Sequence, residues 1–530
     1  MELTKKGIQA HEAWEKAGIA LPRFNVEEMC GATEENPEWV HFGAGNIFRG
    51  FIGSIAQKLL NEGAMKTGIT AVESFDSEVI EKIYKPHDNL TLNVMMDKNS
   101  ALNMEVLAGI ADGILAQDFD RLMKIAAKPS LKMISFTITE KGYAVSGADG
   151  ALYKAVEEDI QSGPSADLKH TMSIVAAMLY HRYQNGACPI AIVSMDNCSH
   201  NGEKLKAGVM TVAEAWEKNG FTDAGFIAYL NEKVSFPWSM IDKITPRPDE
   251  KIKTRLMDLG VSDMEIVVTE KHTYIAPFVN AELPQYLVIE DDFPNGRPPL
   301  EKAGVYMTDR DTVNKAETMK VTTCLNPLHT GLAIFGCLLG YRTIWEEMQD
   351  ADLAGMVHKI ADEGMKVVTD PGIINPQAFV NEVIGERLPN PNIPDAPQRI
   401  ATDTSQKITV RYGETIKSYL ASDSLDIREL DAIPTVIAGW FRYLLAVDDN
   451  GNAFTPSPDP MLAAMQKKLD GIEVGKPETA DGRLKDILCN ETLFGTDLYK
   501  AGLGEKIEER FKKMLSGKGA VRQVLSAYHQ

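Results

Sequence analysis

The sequence predicts an α/β N-terminal half followed by a mostly α-helical C-terminal half. Three observations carry that expectation. An apolar stretch, Trp39 to Phe42, runs into the glycine turn Gly43-Ala44-Gly45 and then a helical pattern from Ile52 to Leu60. Further apolar runs, Gly68 to Val72, Leu131 to Ile138 and Pro189 to Val193, alternate with helical stretches such as Thr171 to His181, the rhythm of a parallel sheet. From about residue 303 helical patterns dominate, with longer apolar faces and less β-branched alternation. The expected domains are therefore 1–302 and 303–530.

Residues 1–36 read as a short amphipathic helix and a polar connector. In the strand–turn–helix unit that follows, Gly43 permits a tight turn and Gly45 lets a pyrophosphate approach the backbone at the helix N-terminus. The usual third glycine is Phe48, so the fingerprint is incomplete and competes with an ordinary glycine turn. The second strand ends in Glu73, with Asp76 shortly after. An acidic side chain there accepts from ribose hydroxyls and repels a 2′-phosphate, which favours NAD over NADP; the competing reading is a solvated loop carboxylate. Together these features make 1–302 a Rossmann-like, NAD-binding domain.

The later strands end in polar clusters. Thr139-Glu140-Lys141-Gly142-Tyr143 follows one, and Asp196 to Gly202 (DNCSHNG) follows the next. Ligands of open parallel sheets bind beyond the carboxyl ends of the strands, so both clusters stand where chemistry is expected. Ser239 to Pro248 comes next, and Gln285 to Asp292 closes the strand-rich half.

In the helical half, Lys320 to Tyr341 reads KVTTCLNPLHTGLAIFGCLLGY. The run from Leu332 to Leu339 must be buried, so Lys320, Asn326 and His329 stand at the edge of a core, where polar groups need partners. Asn326-Pro327 predicts a helix start, with Asn326 as N-cap and His329 in the first turn. Lys320 lies before that start. The alternative is a capped core helix with a solvated lysine. Farther on come a proline-rich loop, Asn390 to Pro397, the polar turn RIATDTSQK at 399–407, and a charged amphipathic helix, Glu505 to Leu515.

Of the 530 residues, 44% are hydrophobic and 25% charged, as in soluble globular proteins. A net charge of −20 argues against a nucleic-acid partner, which wants a basic face. The six cysteines, Cys30, Cys188, Cys198, Cys324, Cys337 and Cys489, form no CxxC pair and suit free thiols. The N-terminus lacks an apolar signal region and no run of about 20 apolar residues occurs, so a cytoplasmic location is expected.

Taken jointly, HFGAGNIFRG at 41–50, TEKGY at 139–143, SMDNCSHNG at 194–202, DKITP at 242–246, QYLVIEDDFPNGRP at 285–298, KVTTCLNPLHTGLA at 320–333 and RIATDTSQK at 399–407 resemble the polyol-specific long-chain dehydrogenase/reductase (mannitol dehydrogenase) family. The resemblance covers roughly residues 38–410, in family order. It implies NAD-dependent, metal-free hydride transfer at a secondary alcohol, here between D-fructuronate and D-mannonate. Mannitol/fructose and tagaturonate are alternatives, and a non-catalytic nucleotide-binding sensor is the reading from another class. It places pyrophosphate on Gly43, Gly45, Asn46 and Phe48, and the catalytic acid–base on Lys320 with Asn326 and His329 beside it. The other oxyanion carboxamide falls to Asn197, with Asn201 as its rival. Substrate binding falls to Asp242, Arg399 and Lys407, and a proton pathway to Glu140. Family members are often monomers. Three departures stand out: the interval from Lys320 to Asn326 is one residue longer than usual, DRITP reads DKITP, and Asp395 stands near where the approach to Arg399 usually has a histidine. For hydride transfer, Asn197 and Asn326 would stabilise the alkoxide, while Lys320, its ammonium weakened by desolvation, would exchange the proton.

Overall fold

The computed structural model describes residues 1–530 except Ser100, Ala101, Ala148, Ala166 and Gln530. The chain forms two compact units, Met1–Met96 with Ala101–Asn314, and Asp97–Ser100 with Lys315–Gln530.

The first unit is built on a six-stranded parallel sheet. Across it the strands run Ile110–Leu115, Ile69–Glu73, Trp39–Phe42, Met133–Phe136, Ile190–Ser194 and Val234–Ser235. In chain order within the sheet this is 3-2-1-4-5-6, the order of doubly wound dinucleotide-binding folds. Trp39–Phe42 is buried at every position because a central parallel strand is covered on both faces. Winding reverses between Trp39–Phe42 and Met133–Phe136, so a crevice opens beyond Phe42 and Phe136.

The N-terminal segment differs from the expected connector. Asn25 caps a second helix, Val26–Glu35, by accepting from Glu28 N at 3.2 Å, and the helix buries Val26 and Met29. Ile19–Ala20 joins a further sheet, ordered Ile19–Ala20, Leu102–Leu107, Thr91–Met96 and Phe278–Glu282. Its partners are far apart in the chain, and such pairings leave little local pattern. A third sheet sets Ser239–Asp242 antiparallel to Tyr286–Glu290, which pairs in parallel with Tyr306–Thr308.

Among the described residues of the second unit the regular elements are all helices, joined by loops and two isolated β-bridges. Its central helix, Asn326–Leu339, packs against Ala351–Met365 and Ala432–Leu444, with Gly331 set against Ile360 and Val436. The rod Arg310–Leu339 is long and apolar enough to cross a membrane, but 78% of its most apolar window is buried inside the protein, as in a core helix.

Lys320 lies before the helix start, as expected, and opens a π-turn, Lys320–Cys324, in which Leu325 N donates to Lys320 O at 3.1 Å. A π-turn holds one residue more than an α-turn, which absorbs the longer interval to Asn326. One detail departs from expectation: Asn326 is not the N-cap but the first helical residue. Leu325, with non-helical φ −130° and ψ −61°, takes the cap position, and its carbonyl accepts from His329 N at 3.1 Å.

Candidate active site

At the head of the crevice, Gly43 adopts φ +101°, open to glycine but not to L side chains. Its N–H donates to Val72 O at 2.9 Å, and a Cβ would stand 2.2 Å from Thr137 O. The turn therefore rests directly on the end of the neighbouring strand. At Gly45 a Cβ would meet nothing within 4 Å, so the backbone is open where a phosphate would approach. Below the helix start, buried Arg49 donates to Asn46 Oδ1 at 2.9 Å, while its Nε and Nη1 find no hydrogen-bond partner. Burial holds that guanidinium down at about 10. An open turn, a helix N-terminus and a buried cation fit the pyrophosphate of a dinucleotide.

One expected cofactor contact needs correction, and another is confined to the backbone. The Phe48 side chain is fully buried and stacks on His41 at 4.1 Å between centroids, so only its backbone is left for a pyrophosphate. Glu73 is not a solvated carboxylate reaching for ribose. Its Oε2 accepts from Ala44 N at 3.0 Å, and its Oε1 from Phe75 N at 2.7 Å and Asp76 N at 3.0 Å. It braces the glycine turn against the second strand, because these buried N–H groups need an acceptor. Asp76 is likewise turned inward, accepting from Thr269 Oγ1 at 2.6 Å.

Beyond the next two strands, Asp196 joins the two polar loops. Its carboxylate accepts from Ile138 N at 2.8 Å, Thr139 N at 3.0 Å and Tyr143 Oη at 2.5 Å. Its burial pushes the carboxyl up. Asn201 is buried and occupied. Its Nδ2 donates to Asp196 O, Ser239 O and Ser239 Oγ, each at 3.0 Å, and its Oδ1 accepts from Ser239 N at 3.0 Å. Asn197, in contrast, is exposed in the loop. Glu140 is also exposed, in an ion pair with Lys204 at 2.5 Å. Asp242, 4% exposed, ends the strand Ser239–Asp242 opposite Tyr286.

In the second unit Lys320 is 3% exposed, and Asn326 and His329 are half-buried. The helix start is clamped by the segment after RIATDTSQK: Tyr412 Oη donates to Pro327 O at 2.7 Å, and the half-buried Arg411 guanidinium to Thr330 Oγ1. His329 Nε2 lies 3.0 Å from Asp395 Oδ2. Asp395 Oδ1 accepts from Arg399 Nε at 3.0 Å and Nη2 at 2.5 Å. Burial raises the Asp395 carboxyl, but His329 and Arg399 outweigh this and bring it below the usual range. Glu347 is fully buried against Gly336, and burial, with Asp395 nearby, holds its carboxyl well above the usual range, which favours the neutral form. Lys407 donates to Ile400 O at 3.2 Å and to Thr402 O; burial, with Arg411 near, lowers it to about 8.

The second unit thus gathers His329 with Arg399, and Lys407 with the loop that carries Arg399. Asp395, Asp196, Arg411 and Glu347 are polar groups of these sites that motif reading did not assign. Only Asp395, four residues before Arg399, left a sequence signal. Among the described residues no group of three or more His, Cys, Asp or Glu is placed to hold a metal ion, and all six cysteines are free thiols.

Residues 37–302 match the mannitol dehydrogenase Rossmann domain, and 312–515 the mannitol dehydrogenase C-terminal domain. A D-mannonate oxidoreductase of Thermotoga maritima is 52% identical over 531 residues, covering 99% of this chain and 98% of that relative. A mannitol 2-dehydrogenase of Neosartorya fischeri is 29% identical, covering 94% of this chain and 93% of that one. Among solved structures, a Pseudomonas fluorescens mannitol 2-dehydrogenase in ternary complex with NAD and D-mannitol superposes with TM-score 0.70 at 25% identity, covering 99% of both chains. A D-sorbitol dehydrogenase, 24% identical over 97% of this chain and 98% of its own, shares the fold with TM-score 0.78. Both halves, matched in order and nearly end to end, make this chain a member of the mannitol dehydrogenase family.

Proposed function

We propose that this protein is an NAD-dependent oxidoreductase that reduces D-fructuronate to D-mannonate and catalyses the reverse oxidation. The observation that carries the reading is the 52% identity, along nearly the whole chain, to a relative named D-mannonate oxidoreductase. Bound nicotinamide supplies or accepts the hydride. In the first unit, the glycine turn at Gly43 and Gly45, with Asn46 at the helix start, holds the pyrophosphate, and Asn197 offers a carboxamide donor to the reacting oxygen. Asp242 takes part in substrate binding. In the second unit, Lys320 exchanges the hydroxyl proton, Asn326 donates to the developing alkoxide, and His329 orients the substrate. Arg399 and Lys407 supply the positive charge that a sugar acid requires and a polyol does not. The free thiols and small polar substrate suit a cytoplasmic enzyme.

The test is NADH oxidation with D-fructuronate, D-tagaturonate and D-fructose in parallel, with NADPH and a chelator as controls. Turnover on fructuronate far above the other two, unaffected by chelator, is the expected result. Preference for fructose would move the chain to the polyol branch, where the N. fischeri relative belongs by name.

A pH series adds a sharper prediction. Lys407 holds its proton below about 8 and is neutral above it. A uronate carboxylate favours the charged lysine, so kcat/KM for fructuronate falls relative to that for fructose as pH rises through about 8. Taking the ratio cancels the proton step common to both substrates. A ratio constant from neutral to strongly alkaline pH would remove Lys407 from carboxylate recognition.

A further inference from the structure

Asp395 touches two groups that the proposed function places on the substrate. The residue is 6% exposed, so it is a group of the protein interior and not a surface acid. One oxygen lies 3.0 Å from His329 Nε2, and the other takes both the Nε and Nη2 of Arg399. The backbone that carries the carboxylate is itself anchored: Asp395 N donates to Ile393 O at 2.8 Å, and Asp395 O accepts from Ile344 N at 2.9 Å. The His329 backbone is fixed by helix Asn326–Leu339, and its ring is mostly buried.

The imidazole has two nitrogens, and their protonation decides what it can do. An unprotonated Nε2 at this distance would set a nitrogen lone pair against a carboxylate oxygen. The two atoms are within 3.0 Å but outside hydrogen-bond geometry, so the contact acts through the field of the carboxylate on the ring nitrogen. The charge argument still selects the proton on Nε2. In the neutral ring Nδ1 is then the acceptor, able to receive a hydrogen bond from a substrate hydroxyl. The same carboxylate holds Arg399, whose side chain is 69% exposed and open to an anion.

We propose that Asp395 is a positioning residue that sets the His329 tautomer, with Nδ1 as acceptor, and fixes the Arg399 guanidinium beside it. Resting on the function proposed above, this makes one buried carboxylate responsible for registering an alcohol-binding and an anion-binding group together. The other charged groups nearby do not take its place. Glu347 is packed against Gly336, Arg411 is engaged with Thr330, and Lys407 with backbone carbonyls. Among the described residues Asp395 is the only carboxylate paired with His329.

The experiment uses the full-length protein and its Asp395→Asn and Asp395→Glu variants. Nitrogen-15 NMR of labelled histidine, with the His329 signals assigned by their loss in His329→Gln, reads the tautomer without any substrate. Steady-state kinetics with fructuronate and NADH reads the consequence. The wild type is expected to carry the proton on Nε2. Asp395→Asn should lose that preference and lower kcat/KM roughly 10- to 100-fold, the scale of a displaced orienting group. NADH affinity should stay within two-fold, and Asp395→Glu should restore part of the loss. A wild-type proton on Nδ1, or an Asp395→Asn variant with the same tautomer and kcat/KM within two-fold, overturns the proposal. If the wild type turns over none of the ketoses yet shows the Nε2 tautomer and its loss in Asp395→Asn, the functional reading fails while the positioning of His329 stands.

Discussion

Replacing Lys320 by Ala is expected to lower turnover of D-fructuronate by about 10²- to 10⁴-fold, the usual contribution of a general acid–base group. Lys320 is 3% exposed and opens the π-turn that leads into Asn326 and His329. A buried lysine in an unusual helical turn is seldom there for solubility, and π-turns recur at functional sites. NADH binding, read by fluorescence titration, should remain within a few-fold of wild type, since the glycine turn belongs to the other unit. Lys320→Arg separates two explanations. Arginine keeps the charge but does not release its proton at working pH, so it should not restore turnover if proton exchange is the role. Should Lys320→Ala retain more than a tenth of wild-type turnover with an unchanged melting temperature, the acid–base role must move to another residue.

Gly43→Ala is expected to cripple cofactor binding and weaken the fold together. The new Cβ would stand 2.2 Å from Thr137 O, a backbone atom that cannot rotate away. The +101° φ adds backbone strain of about 1–3 kcal/mol. At roughly 2–4 °C per kcal/mol for a domain of a few hundred residues, the melting temperature should fall by several degrees. The NADH dissociation constant should rise more than ten-fold, because relieving the clash moves the turn that carries Ala44 and Gly45. Gly45→Ala is the informative counterpart. Its Cβ meets no protein atom, so stability should hold while NADH binding weakens. Equal NADH affinity in Gly45→Ala and wild type would mean that the pyrophosphate does not lie against this turn.

What could be read from the chain was what local chemistry dictates. The strand Trp39–Phe42, the glycine turn and the succeeding helix announce themselves because apolar runs, glycines and helical periodicity are short-range signals. The same holds for Met133–Phe136, Ile190–Ser194 and Thr171–Gln184, and their alternation implied a parallel sheet. The motif series in both halves identified the family, and the Asn326-Pro327 pair marked a helix start to within one residue.

Where side chains point was decided by partners far away in sequence. Glu73 is acidic at the right strand end, yet three backbone N–H groups, including Ala44 N, draw it inward. Asn197 and Asn201 are equivalent by type and separated by four positions. The strand beginning at Ser239 engages Asn201 in the interior, whereas Asn197 lies exposed in the loop. The sheet of Ile19–Ala20, Leu102–Leu107, Thr91–Met96 and Phe278–Glu282, the π-turn at Lys320 and the contact of His329 with Asp395 share that origin. The sequence by itself determined which elements form and which family they compose, because those depend on residue type and spacing. The tertiary structure decided which polar atoms are left facing a ligand, because a buried donor or acceptor binds whatever partner the fold brings within hydrogen-bonding distance.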